Sequence, residues 1–242
     1  MPRRIGQILL SGGLDSTTLA CLARQETDEL LALTLNYGQR HVIELDAARK
    51  VAAALSLPHR VVDVRFYRDL AAHSALTNAA DFALPTGRKQ EEMAKDIPVT
   101  YVPLRNTFFL TIAAASLESR VLHVIESEGV PPEDVDPVLY IAANALDYSG
   151  YPDCRPEFYA ALTESLRLGS KIGTQYGRPL RIATPLIDKT KADIVRLGVS
   201  LGAPLESSWS CYNGGPKPCG VCDSCILRAK GFAEAGIDDP AL

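Results

Sequence analysis

Between Leu9 and Thr18 the chain reads Leu-Leu-Ser-Gly-Gly-Leu-Asp-Ser-Thr-Thr, a pattern able to hold a chain of phosphates. The apolar run Ile5 to Leu10 supplies a strand that ends in a turn of small residues. Gly12 and Gly13 let the backbone approach a ligand closely. Ser16, Thr17 and Thr18 then open a helix that runs to Gln25. Unpaired amides at a helix start, at the positive end of its dipole, attract an anion. Ser11, Ser16 and Thr17 add hydroxyl donors. A phosphate loop of the kinase type carries Lys after its last Gly. Here Asp15-Ser16 stands in that place, so no cation is built in for γ-phosphate transfer, and Asp15 is suited to positioning magnesium. The plainer alternative is a glycine-rich turn in which Asp15 or Ser16 caps the helix.

The second constellation is Cys211-x7-Cys219-x2-Cys222-x2-Cys225. Four thiolates around one ion form the closed tetrahedral arrangement of a structural zinc site. Soft sulfur ligands also suit an iron–sulfur cluster, but nothing else in the chain points to redox work, so zinc is expected. Gly214, Gly215, Pro216, Pro218 and Gly220 shape the intervening loop. Cys21 and Cys154 stand apart, the first expected in the core and the second in the core or a pocket.

These groups need a scaffold, and the rest of the chain reads as one. At 242 residues, 47% hydrophobic and 22% charged, it has the composition of a soluble globular protein. A net charge of −4 argues against a large nucleic-acid-binding face. No apolar run approaches the ~18 residues expected of a membrane span, and Met1-Pro2-Arg3-Arg4 leads directly into the first strand with no signal region. Cytoplasm is the expected compartment.

Further strands are expected over Leu30–Tyr37, Arg60–Val64, Val138–Ala142 and Leu180–Ala183. Helices are expected over Ile43–Leu55, Phe108–Leu117, Glu157–Leu168 and Lys191–Leu201. Such alternation implies a parallel sheet covered on both faces, with ligands at the carboxyl ends of its strands. Ser11–Ser16 and Tyr37–His41 fall there. Arg65–Val102 reads as a polar excursion or lid, and Arg120–Pro137, charged and holding Pro131-Pro132, as an exposed segment.

Ser-Gly-Gly-x-Asp-Ser resembles the pyrophosphate loop of N-type ATP pyrophosphatases, which cut ATP between the α and β phosphates and place AMP on a substrate oxygen. Four more segments narrow the likeness: Tyr37-Gly38-Gln39-Arg40-His41, Val102-Pro103-Leu104-Arg105-Asn106, the run from Asn144 to Phe158, and Trp209-Ser210-Cys211-Tyr212-Asn213. Together these resemble the 7-cyano-7-deazaguanine synthase family of the queuosine pathway, from about Ile5 to Phe232. The resemblance implies an α/β, Rossmann-like fold of the adenine nucleotide alpha hydrolase-like type, a parallel sheet with helices on both faces. That domain is expected over 1–205, with a small C-terminal zinc-binding segment, 206–242, packed on it. The implied reaction joins 7-carboxy-7-deazaguanine and ammonia at the expense of ATP, through an adenylated carboxylate and an amide, to give a nitrile.

Residue by residue, the resemblance assigns the nucleotide to Leu10, Ser11, Gly12, Gly13, Leu14, Asp15, Ser16, Thr17, Thr18, Leu19 and Ala20. It assigns catalysis to Asp15, Ser16, Lys191 and Arg105, and structural zinc to Cys211, Cys219, Cys222 and Cys225. Substrate contacts are expected from Arg40, His41, Asn106, Asn144, Asp147, Asp153 and Arg155. Several of these residues have plainer alternatives: a solvated loop pair for Arg40 and His41, a solvated helix start for Lys191, a cap before Phe108 for Asn106, and a cap to the Pro156 helix for Asp153. Magnesium with ATP, small-molecule substrates, a homodimer, and no nucleic acid or membrane partner complete the implied picture. Two departures stand out. The link near Leu122–Pro137 is longer than usual, and Ala142-Ala143 replaces a common Gly-Val. The rival readings are a tRNA-thiolating enzyme with the same loop, which should be basic and carry paired catalytic cysteines, and a non-catalytic zinc-ribbon binding protein.

Overall fold

The computed structural model describes residues 1–38, 43–88, 97–144 and 150–241. Among them, five parallel strands form one sheet in the order β3-β2-β1-β4-β5, comprising β1 (Arg3–Leu9), β2 (Glu29–Asn36), β3 (His59–Asp63), β4 (Val135–Tyr140) and β5 (Arg181–Ala183). The chain steps outward from β1 through α1 (Leu14–Glu26) and α2 (Ile43–Ala54) to β3. It then returns through α3 (Phe66–Leu70) and α4 (Arg105–Glu126) to lay β4 on the other side of β1. Reversal of direction beside β1 opens a crevice at the carboxyl ends of β1 and β4, the place where doubly wound sheets bind ligands. The longer remaining helices are α5 (Pro156–Gly169), α6 (Lys191–Ser200) and α7 (Asp223–Ala235).

Alternation along the strands sends side chains to two cores. Ile5, Leu33, Leu35 and Leu139 join Leu110, Ala113, Leu117 and Val121 of α4 on one face. Ile8, Leu10, Ala32 and Val138 join Leu19, Val51, Ile194 and Phe232 on the other. Helices on both faces fit the expected fold class, and the strands begin and end within a few residues of their expected limits.

Three expectations need correction. The helix expected over Phe108–Leu117 runs from Arg105 to Glu126, so Arg120–Pro137 is not simply exposed. Val121, Val124 and Ile125 recur at helical spacing and are buried, while the charges that suggested a loop face outward. Arg120 there holds Glu29 at 2.6 Å and Glu128 at 2.6 Å. Val135 to Pro137 belong to β4, leaving a short exterior link at 127–134. Contrary to the expectation of no such stretch, α4 is long and apolar enough by length and composition to cross a membrane. Its apolar side instead packs against the sheet.

The third correction concerns Arg65–Val102. Tyr67, Ala71, Ala75, Leu76 and Val102 are buried, and Tyr67 stacks on Phe108 at 4.4 Å. Farther along, Thr86 forms a β-bridge with Cys222, Gly87 donates to the Val221 carbonyl at 2.9 Å, and Arg88 pairs with Asp223. Much of the excursion is therefore fastened to the core and the C-terminal segment.

The turn after β1 is fitted to α2. Gly12 has φ +82°, and a Cβ there would lie 2.5 Å from the Ala48 nitrogen and 2.7 Å from the Glu44 carbonyl oxygen. Gly12→Ala is expected to lower stability by about 1–3 kcal/mol from backbone strain alone. The check is the urea midpoint of unfolding, and an unchanged midpoint would show the close approach to be false.

Candidate functional site

The loop after β1 is held by its own hydroxyls. Ser16 Oγ donates to the Gly13 carbonyl at 3.1 Å, so Ser11 is the donor in its 3.0 Å bond to Ser16 Oγ. Ser11 Oγ in turn accepts from the Gly13 amide at 3.2 Å. The α1 ladder opens with the Thr17 amide on the Gly13 carbonyl at 3.0 Å. Leu14, Asp15 and Ser16 thus lie in the first turn, where amides have no intrahelical acceptor. Gly13 occupies the cap position with no side-chain cap, so the alternative of an Asp15 or Ser16 cap is not realised.

Asp15 gathers residues from distant parts of the chain. One carboxylate oxygen, Oδ2, accepts from Asn144 Nδ2 at 2.9 Å and forms an ion pair with Lys191. Its other oxygen, Oδ1, is buried with no hydrogen-bond partner, an acceptor aimed at something not supplied by the described residues. Lys191 opens α6, where Thr190 and Asp193 form a reciprocal capping box. Close packing of α7 places it there: a Cβ on Gly231 would come within 2.8 Å of Lys191 Cβ. The solvated-lysine alternative fails on that geometry.

A cavity of about 290 Å³ opens over this loop. Ser11, Asp15, Ser16 and Lys191 form the polar part of its floor, with Gly13 and Leu14 beside them. Arg105, Asn106, Cys154, Tyr151 and Tyr159 form one wall, with Ala142 and Ala143 beside them. Trp209, Ser210, Tyr212 and Arg228 form the wall contributed by the C-terminal segment. Arg105 is half-buried and borders the cavity. Burial works against its charge, yet Tyr37, Asp153, Tyr151 and Cys154 around it hold it firmly protonated. Burial also raises the Tyr37 phenol, although Arg105 pulls it the other way.

Asn106 and Asp153 are engaged with each other. Asp153 Oδ2 accepts the Asn106 amide at 3.1 Å, and Asn106 Nδ2 donates to the Asp153 carbonyl at 3.1 Å and to Cys154 Sγ at 3.2 Å. Both capping alternatives are corrected by this arrangement. Asp153 serves the first turn of α4 rather than the Pro156 helix, whose cap position is Arg155. Asn106 is already inside α4, with Leu104 at the cap position in a left-handed conformation, φ 54°.

Other sequence-derived candidates are scattered. Leu10 lines the cavity, whereas Thr17, Thr18, Leu19 and Ala20 are buried along α1. Gly12 reaches the C-terminal segment through its carbonyl, which accepts from the Trp209 amide at 2.8 Å. Arg155 is exposed and away from the cavity lining. Arg40, His41 and Asp147 lie outside the described residues. Glu44, Tyr159 and Arg228 border the cavity without having been singled out. Only Arg228 carried a usable signal, one helical turn beyond Cys225.

Cys211, Cys219, Cys222 and Cys225 bring their four Sγ atoms within 4.8 Å of one another, and none is in a disulfide. A tetrahedral ion with Zn–S bonds of about 2.3 Å needs sulfurs about 3.8 Å apart, so the set fits a metal after slight contraction. Amides of Asn213 and Cys219 point at Cys211 Sγ at 3.4 and 3.3 Å. Burial pushes the Cys219 thiol up, but the Val221 and Cys222 amides and neighbouring thiols outweigh it and bring it down to about 7. At Cys225 burial prevails and the thiol is raised. Cys21, as expected, is buried, donating to the Leu201 carbonyl at 3.1 Å.

Residues 7–236 match the family described as queuosine biosynthesis protein QueC. A 7-cyano-7-deazaguanine synthase of Anaeromyxobacter sp. (strain Fw109-5) is 49% identical over 245 residues, covering 100% of this chain and 97% of its own. The enzyme of the same name from Trichodesmium erythraeum is 46% identical over 238 residues, 97% of this chain and 98% of its own. The one from Thermoplasma acidophilum is 46% identical over 240 residues, 99% and 92% of the two chains. A looser likeness to NMN synthetase from Francisella tularensis has a TM-score of 0.42 at 16% identity, over 98% of this chain and 79% of that one, and adds nothing to the assignment. With residues 7–236 matched by the family and relatives 46–49% identical over nearly the whole length, this chain belongs to the queuosine biosynthesis protein QueC family.

Proposed function

We propose that this protein makes 7-cyano-7-deazaguanine from 7-carboxy-7-deazaguanine, ammonia and ATP. The carrying observation is Asp15, joined to Asn144 and Lys191 on the floor of a cavity, in a chain of this family. The substrate carboxylate attacks the α-phosphorus of ATP, pyrophosphate leaves, and the oxygen becomes part of a good leaving group. Ammonia adds to the acyl carbon and AMP departs, giving the amide. A second ATP adenylates the amide oxygen, again releasing pyrophosphate. Loss of AMP and the remaining nitrogen protons leaves the nitrile.

Amides of the α1 start hold the phosphates, and the Ser11 and Ser16 hydroxyls hold the turn that presents them. Lys191 offsets charge that builds on the departing pyrophosphate. The unpartnered Asp15 Oδ1 supports this residue as the holder of magnesium, which would draw charge from the phosphate oxygens. Asn144 orients Asp15. Arg105 supplies a positive charge for a carboxylate or phosphate in the same cavity, and the Asn106–Asp153 pair holds the residues beside it. Purine recognition is assigned to Arg40, His41, Asp147 and Arg155 from the resemblance alone. Ala142 and Ala143 border the same cavity, where the Ala142 methyl narrows it relative to a glycine.

Zinc is the proposed metal, supported by four reduced thiols in one shell. It would hold residues 206–242 as a segment packed on the 1–205 domain, and its closed sulfur set leaves no position for chemistry. Reduced cysteines and ATP dependence support a cytoplasmic site of action, and a net charge of −4 supports small-molecule partners over nucleic acid. A homodimer is supported by apolar residues left outside, Phe66 at 58% and Leu104 at 64% exposed, both beside Phe108.

Mass spectrometry after incubation with magnesium-ATP, ammonium and 7-carboxy-7-deazaguanine is expected to find the nitrile, AMP and pyrophosphate. ADP with phosphate would overturn the cleavage site, and amide without nitrile would overturn the second activation. Lys191→Ala is expected to slow pyrophosphate release about a hundredfold, the scale for losing one charge-stabilising donor, with the circular dichroism spectrum unchanged. Native mass spectrometry reads metal and assembly together: two chains carrying two zinc ions are expected, and Cys222→Ser should lose the metal. Iron and sulfide, or a monomer, would refute the corresponding assignment.

A further inference from the structure

The cavity wall formed by the C-terminal segment has an internal fastening. Trp209 is the chain's single tryptophan, and its amide donates to the Gly12 carbonyl of the phosphate loop at 2.8 Å. Trp209 sits between two anchors. On one side is Cys211, in the thiol cluster. On the other is Arg228, whose side chain is 8% exposed and borders the same cavity. Its Nε and Nη2 grip the Asp239 carboxylate at 2.6 and 2.8 Å, a two-pronged buried pair. Its Nη1 donates to Ser208 Oγ at 2.8 Å and Ser210 Oγ at 3.3 Å, and Nη2 reaches the Leu205 carbonyl at 3.4 Å. The guanidinium therefore spans the strand of chain on both sides of Trp209. A lysine, with one compact ammonium, could keep the Asp239 partner but not this fork.

We propose that Arg228 is a positioning residue for the phosphate loop, holding residues 205–210 so that the Trp209 amide fixes the Gly12 carbonyl. Arg228 spends its donors on Asp239, Ser208, Ser210 and Leu205, and it acts through Trp209 on the turn that receives the phosphates. Cys225 lies one turn before Arg228 on α7, so a metal on the thiols and Arg228 brace the same stretch from its two ends. This inference rests on the ATP-binding part of the proposed function.

The test uses full-length, zinc-loaded protein and the intrinsic emission of Trp209. In the unaltered chain, magnesium-ATP is expected to shift that emission. Arg228→Lys keeps a charge beside Asp239, and Ser208→Ala leaves the ion pair untouched, so both should fold and carry one zinc. Each is expected to show altered emission without nucleotide and a KM for ATP raised about tenfold, one hydrogen-bonded contact's worth, with kcat changed far less. A KM within twofold of the unaltered chain in both variants, with unchanged emission, overturns the proposal. If the unaltered chain shifts its emission with ATP but makes no nitrile, the reaction assignment fails while the emission titrations still decide the role of Arg228.

Discussion

The site depends on one buried carboxylate. Asp15 is reached by Asn144 from beyond β4 and by Lys191 from the start of α6, so three separate stretches are tied at the carboxyl ends of two neighbouring strands. A carboxylate with so little solvent needs compensation, and Lys191 and Asn144 provide it at one oxygen while the other stays open. The sheet order makes that meeting possible, because β4 lies directly beside β1. Had β4 been added outside β3, Asn144 would be several strands away from the loop.

From Asp15 the constraints spread into the C-terminal segment. Lys191 is placed by α7, which approaches closely because residue 231 is glycine. Gly12 is backed by α2 on one side and met by the Trp209 amide on the other. Thr86 to Arg88 fasten to the same segment at Cys222 and Asp223. A cysteine-rich tail and a polar excursion are thereby parts of the cavity and its surroundings. Their thiols, backbone bridges and ion pairs do the work that apolar burial does elsewhere, since few large hydrophobic residues are available between 206 and 223.

Much of the fold was legible because its cues are local. Alternating apolar strands and amphipathic helices need only neighbours in sequence, and their expected limits fall close to those observed. The failures occurred where a local cue had two meanings. Charges in 120–126 suggested a loop because Arg120, His123 and Glu126 interrupt the apolar run, although Val121, Val124 and Ile125 keep helical spacing. Asp153, expected at the substrate with a cap for the following helix as its plainer alternative, instead accepts from the Asn106 amide in α4, 47 positions away in sequence. The spacing of Arg228 from Cys225 marks its neighbourhood but not its burial, which Asp239 and Ser208 explain only after folding.

The sequence by itself determined the local chemistry of this protein: an anion-binding turn without a built-in lysine, four cysteines spaced for a tetrahedral ion, and alternation sufficient for a covered parallel sheet. Those properties follow from residue type and short spacing, which covalent geometry preserves in any context. Tertiary structure alone decided which groups share the cavity. Lys191 and Asp15 are 176 positions apart, and Asn144 and Asp15 are 129 apart. Their contact depends on strand order, helix packing and the docking of α7. No spacing rule reaches that far, because a long chain segment can return to many places and only the packing of both cores selects one.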